Sequence, residues 1–145
     1  MRTLFDTNVI VATLDQLHEH HEWSAAILET TRESDRLLSA HCLAEAFNRL
    51  TRGGIGGSFG PNDTAAALRD LSIRASVRAL DALETLEALS RFAAIGGAGA
   101  RLYDYLIGHV AVVASAGRIV TWNVRHLRPL FPTLEVLTPK EAIGT

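Results

Sequence analysis

Cysteine is almost missing from the chain. Cys42 is the only one, which excludes an intramolecular disulfide framework and a cysteine-rich zinc site and suits a reducing compartment. Long apolar runs are missing too. The longest, Val110 to Ala114, falls far short of the ~20 residues a membrane span requires. The opening Met1-Arg2-Thr3-Leu4-Phe5-Asp6 has neither the apolar core nor the small-residue cleavage site of a secretory leader, so the cytoplasm is the expected location, with no membrane partner. Lysine is reduced to Lys140 against 13 arginines, and the planar guanidinium with its five donors suits phosphate recognition. Aromatics make up only 6% of the residues. Trp23, Trp122 and the phenylalanines read as packing residues, not as a base-stacking stripe. What remains is a chain of 145 residues, 48% hydrophobic, with a net charge of −2. A chain of this size buries roughly two thirds of its unfolded surface, and one domain over residues 1–145 is expected. The slight negative charge argues, at first sight, against a nucleic-acid partner.

The segments alternate between strand-like and helix-like. Thr3 to Phe5 is a short apolar run, followed by Asp6-Thr7-Asn8, residues that favour helix N-caps, and by a helix over 7–14. Trp23 to Arg32 has helical spacing, Leu37-Leu38-Ser39 reads as a strand, and Leu43, Ala46, Phe47 and Leu50 predict an amphipathic helix over 41–52. The glycine-rich stretch 53–60 is a loop without the Gly-Lys-Ser/Thr ending of a phosphate-binding loop. Asn62 or Asp63 can cap a helix through Ser72. Ser76 to Leu80 is strand-like, Asp81 caps a helix over 82–95, and a further helix covers 101–116. Residues 118–122 and 134–138 read as strands. Such alternation predicts an α/β fold, a mainly parallel sheet with helices on both faces.

In a parallel sheet, ligands bind beyond the carboxyl ends of the strands, which gives weight to polar residues where strands stop. Asp6 is one, although it serves equally as an N-cap. Thr121 and Asn123 follow another strand, where turn chemistry is the plainer explanation. Glu45 sits on the 41–52 helix opposite its apolar stripe, with Arg49 at i+4, as an ordinary solvated pair would. Asp104 lies near the start of a mostly apolar helix, where a carboxylate is costly unless paired, hydrogen-bonded or metal-bound. His18, His20 and His21 lack the His-Glu-x-x-His spacing of a metal helix and read as a polar connection.

Taken in order, these segments resemble the PIN-domain family, most closely the VapC-type ribonuclease toxins of toxin–antitoxin pairs. Leu4-Phe5-Asp6-Thr7-Asn8-Val9-Ile10 is similar to the family's first motif, and Ser39 with Glu45 six residues on to its second. Tyr103-Asp104-Tyr105-Leu106-Ile107 is similar to the third, and Ile119-Val120-Thr121-Trp122-Asn123 to the fourth. The resemblance spans essentially the whole chain. It implies a three-layer α-β-α sandwich around a four- or five-stranded sheet, and a metal-dependent endoribonuclease in which Asp6, Glu45 and Asp104 hold Mg²⁺ or Mn²⁺ while Thr121 and Asn123 complete the catalytic set. Ser39 and Asn8 would support them. It further implies an RNA substrate, a homodimer and a cognate VapB-like antitoxin, with the 53–60 loop contributing to partner contacts.

Many family members place a fourth acid near Asn123, whereas here Asn123 is followed three residues on by His126. That departure leaves open a catalytically weak domain acting as a binding module. An RNA-processing nuclease without a toxin role is a further alternative, which differs in its substrate and genetic neighbour. An unrelated hydrolase using Asp6 as a phosphate-accepting nucleophile is disfavoured, because position 8 is Asn where that chemistry needs a second Asp. If three acids are committed to a cation, the remaining charges turn slightly positive and an RNA substrate is no longer excluded.

Overall fold

The computed structural model describes residues 1–53 and 59–144. Its centre is a five-stranded, wholly parallel sheet in the order β3-β2-β1-β4-β5. The strands are β1 (Thr3–Phe5), β2 (Arg36–Ser39), β3 (Ser76–Arg78), β4 (Arg118–Val120) and β5 (Glu135–Leu137). Leu4 of β1 is aligned with Leu37 on one side and Ile119 on the other. All three are essentially fully buried, as expected of parallel strands covered on both faces.

Among the described residues, eight helices flank the sheet: α1 (Thr7–Leu14), α2 (His21–Thr30), α3 (Ala40–Thr51), α4 (Pro61–Ile73), α5 (Ala82–Ala94), α6 (Arg101–Val113), α7 (Val124–Leu127) and α8 (Pro139–Ile143). They pack in two groups, α1 to α4 with α8, and α5 to α7. None is long and apolar enough to cross a membrane. The expected α/β architecture is therefore present, with five strands.

Local chemistry explains most boundaries. Asp6 caps α1, and Ser39 caps α3 by accepting from the Cys42 amide. Asp81 and Glu84 form a reciprocal capping box on α5, as Thr138 and Glu141 do on α8. Helix α4 differs from expectation. It starts at Pro61 with Gly60 as an N-cap that makes no side-chain bond; Asn62 and Asp63 already lie inside the first turn, and Pro at the first helical position needs no N–H. Helix α6 stops at Val113, short of residue 116, because Ser115 takes a left-handed conformation with φ 54°. Gly108 lets α6 approach the α7–β5 connection, since a Cβ there would collide with the Phe131 ring. Of the 53–60 loop, residues 54–58 lie outside the described residues.

Candidate active site at the carboxyl ends of β1 and β4

The strand order places the switch point between β1, from which the chain first builds outward through β2 and β3, and β4, to which it later returns. This is where open α/β sheets bind ligands. Asp6 follows β1, and Thr121 follows β4. Two backbone bonds tie the ends down: the Asp6 amide donates to Val120 O, and the Thr121 amide to Leu137 O.

Asp6 is the only buried acid among the described residues. Its Oδ1 accepts from the Thr7 amide at 2.7 Å. Its Oδ2 accepts from Thr121 Oγ1 at 2.7 Å and from Asn8 Nδ2 at 3.3 Å. Burial raises the Asp6 carboxyl above its ordinary pKa, against the lowering effect of the Thr121 and Thr7 hydrogen bonds; the negative charges of Asp104 and Glu45 raise it further. Both acids are thus close enough to act on Asp6, although they come from α6 and α3.

Glu45 is half-buried and lies at the edge of the apolar face of α3, not opposite it. The stripe expected at 43, 46, 47 and 50 is rotated: Cys42, Ala46 and Leu50 are buried, while Phe47 is exposed. The rotation follows from Cys42, a small apolar residue one helical turn before Ala46. Its thiol is pushed up to about 12 by burial, so it is no nucleophile. Glu45 Oε2 accepts from Thr7 Oγ1 at 3.1 Å, and Oε1 lies 2.6 Å from His41 Nε2. The anticipated Arg49 pair is the looser one, at 3.9 Å.

Asp104 occupies the first turn of α6 and is half-buried. Its carboxylate has no hydrogen bond or ion pair among the described residues, so its charge stays uncompensated. Asn123 precedes α7; its amide donates to Thr121 Oγ1 at 2.9 Å, and its Nδ2 lies 3.0 Å from His126 Nδ1. Ser39 is buried, and its hydroxyl accepts from the Cys42 amide at 2.9 Å as a helix cap.

Asn8, Thr7 and His41 do more than sequence reasoning gave them. Asn8 Nδ2 donates to both Asp6 Oδ2 and Thr121 Oγ1, and its Oδ1 accepts from the Trp122 amide. It therefore clamps the ends of β1 and β4 together. Thr7 bridges two acids, using its amide for Asp6 and its hydroxyl for Glu45. The signal for His41 was its i,i+4 spacing to Glu45 on one helix. Asn8→Ala should destabilise the fold by about 1–2 kcal/mol, the net worth of one or two partly buried hydrogen bonds; urea unfolding measures it, and no change in midpoint would remove Asn8 as a clamp.

The histidines of the α1–α2 connection are structurally engaged. His21 Nδ1 is bonded to Ala12 O, His18 Nδ1 accepts from the His20 amide, and the His20 ring stacks on Trp122 at 3.9 Å. Trp122 also donates from its indole N–H to Ser24 Oγ, as a packing residue does.

Among the described residues, no group of three or more His, Cys, Asp and Glu side chains is close enough to hold a metal ion by itself. The donors nevertheless suit a hard divalent cation. All are oxygens, one carboxylate is buried against two other negative charges, and one has no protein partner. Mg²⁺ commonly takes one or two carboxylates directly and keeps several waters, so these residues fit an open, hydrated site and not a closed cage.

The fold and this polar cluster define a parallel α/β domain with acids gathered at its switch point. Residues 3–128 match the PIN-domain family profile, and the chain belongs to the PIN-domain family. No curated protein matches the chain. Solved structures that share the fold include FitAcB from Neisseria gonorrhoeae, with 22% identity, TM-score 0.67, and coverage of 95% of this chain and 98% of that one. DNA-bound VapBC from Salmonella typhimurium has 20% identity and TM-score 0.65, covering 96% and 98% respectively. VapC20 of Mycobacterium tuberculosis, a toxin that cleaves the sarcin–ricin loop, has 17% identity and TM-score 0.65, covering 81% and 86%.

Proposed function

We propose that this chain is a metal-dependent endoribonuclease that acts as the VapC-type toxin of a cytoplasmic toxin–antitoxin pair, as a homodimer held in check by a VapB-like antitoxin. The observation that carries the catalytic part is the Asp6 carboxylate, buried at the switch point, fixed by Thr7, Asn8 and Thr121, and repelled by Asp104 and Glu45. The toxin and antitoxin parts draw support from the fold shared with VapC20 and with the VapBC complex.

Asp6, Asp104 and Glu45 would hold Mg²⁺ or Mn²⁺. When bound, the cation supplies a water of lowered pKa and screens negative charge on the phosphoryl group. Thr121 and Asn8 keep Asp6 Oδ2 in a fixed direction, and Thr7 does the same for Asp6 Oδ1 and Glu45 Oε2. Asn123 adds a neutral carbonyl oxygen where a further acid would add charge, enough to orient a water but too little to secure a second cation. The net reaction adds water across a phosphodiester: a P–O ester bond breaks, the leaving oxygen takes a proton, and a phosphomonoester and a hydroxyl remain.

Cation binding to the folded state alone must stabilise it. At about 100 times Kd the gain is about 2.7 kcal/mol, roughly 5–10 °C in Tm for a chain of this size. Mn²⁺ should therefore raise Tm, and Asp104→Asn should remove most of the shift. A shift left intact by Asp104→Asn would break the shared-site reading.

A further inference from the structure

Beside the acids lies a cavity of about 560 Å³ lined by Arg101, Trp122, Asn123, Arg125, His126 and Pro129. It contains two guanidiniums, an imidazole and an amide, and no acid. We propose that this cavity is a phosphate subsite that holds the backbone of single-stranded RNA adjacent to the reacting phosphodiester. The inference rests on the nuclease reading of the neighbouring acids and extends it to the residues that grip the substrate.

Three observations carry it. The first is position. Asn123 donates its amide to Thr121 Oγ1, which in turn donates to Asp6. Arg101 precedes Asp104 by three residues on α6, about one helical turn. The cavity is therefore joined to the acids on two sides, through Asn123 and Thr121 to Asp6 and along α6 to Asp104.

The second is availability. Several arginines elsewhere are committed to acids: Arg32 to Asp35, Arg78 to Glu84, Arg91 to Glu87. Arg125 has no hydrogen bond or ion pair among the described residues. Arg101 spends one Nη2 donor on His126 O at 3.1 Å, which fixes the guanidinium against α7 and leaves the rest of its donors for an anion. Asn123 Nδ2 lies 3.0 Å from His126 Nδ1, a contact that holds the imidazole at the cavity beside the two guanidiniums.

The third is charge. A cluster of acids repels a polyanion, and bringing RNA to it requires cations alongside. Where an additional acid would have opposed the phosphate, this chain has Asn123 and His126. The same substitution that weakens the case for a second cation makes the adjoining cavity cationic. An acidic segment of a protein partner would meet the same charges, but the direct continuity with Asp6 and Asp104 favours the substrate.

The test is fluorescence anisotropy with a short labelled single-stranded RNA of mixed sequence, in chelator so that nothing is cut, across a salt series. Arg101→Ala combined with Arg125→Ala should weaken binding about tenfold or more and flatten the log affinity against log salt slope by roughly 1.4, at ~0.7 for each phosphate that is no longer neutralised. Because Arg101 also braces α7, Arg125→Glu is measured alongside with its Tm; it should weaken binding without moving Tm. Arg69→Ala, on α4 and away from the cavity, should leave affinity unchanged. Unaltered affinity and slope in Arg125→Glu overturn the proposal and leave the cavity to a protein partner, and so does failure of the native protein to bind the RNA at low salt. Parallel assays with Mn²⁺ separate the two claims: loss of binding in the arginine variants with no cleavage by the native protein keeps the subsite and rejects the nuclease.

Discussion

Asp6→Asn lowers the rate of RNA cleavage by about two to three orders of magnitude, the usual cost of removing one preorganised charge from a reacting centre. The exchange preserves shape. Asn still offers a carbonyl to the Thr7 amide, so the N-cap of α1 survives. What disappears is the one buried negative charge among the described residues, the group about which Thr7, Asn8 and Thr121 are arranged. RNA affinity should not fall, because the lost charge repels phosphate, so the drop falls on kcat and not on KM. Single-turnover cleavage of a labelled RNA with Mn²⁺ measures it. Activity within a few-fold of the native protein would remove Asp6 from the chemistry.

His109→Leu should stabilise the protein by about 1–2 kcal/mol at neutral pH, since a buried polar group left without partners carries a desolvation cost of that order. His109 lies on α6, 1% exposed, and neither ring nitrogen has a hydrogen-bond partner. It is stacked beside Tyr105 at 6.1 Å. Burial lowers its pKa below the ordinary 6.5, as does the charge of Arg91, while Glu87 and Glu84 on the same helix as Arg91 act in the opposite sense. The sign follows directly. A histidine with a depressed folded pKa gives full stability above the unfolded value of 6.5, and that stability is lost as pH falls below it towards the folded value. The native protein should therefore weaken from pH 7 towards acid more steeply than His109→Leu, whose advantage should grow. Parallel pH profiles of Tm decide this; equal slopes would mean the ring finds a proton-accepting partner.

Much of the site was legible because its residues sit where strands stop. Asp6, Ser39 and Thr121 each follow a short apolar run, and a parallel α/β pattern directs attention to those ends. Six residues beyond Ser39, Glu45 was legible as well, but its place on α3 was not. The apolar period fits two neighbouring stripes, and only packing chooses the one through Cys42. Helices α7 and α8 span four and five residues, too short for periodicity to register. The 3-10 turn at Glu33–Asp35 escapes for the same reason. The cavity of Arg101, Arg125 and His126 joins α6 to the β4–β5 connection across more than twenty residues of sequence, and only the fold brings those charges together. The arginine excess pointed to phosphate without saying which arginines were unpaired.

The chemistry of the RNA ends tests the central claim most directly. Water attack on phosphorus leaves a phosphomonoester on one fragment and a free hydroxyl on the other, whereas attack by the neighbouring 2′-hydroxyl leaves a 2′,3′-cyclic phosphate. Purified protein incubated with RNA and Mn²⁺ should yield monoester and hydroxyl ends only, none in chelator, and almost none from Asp6→Asn. Cyclic phosphate ends, or cutting that persists in chelator, would contradict the account.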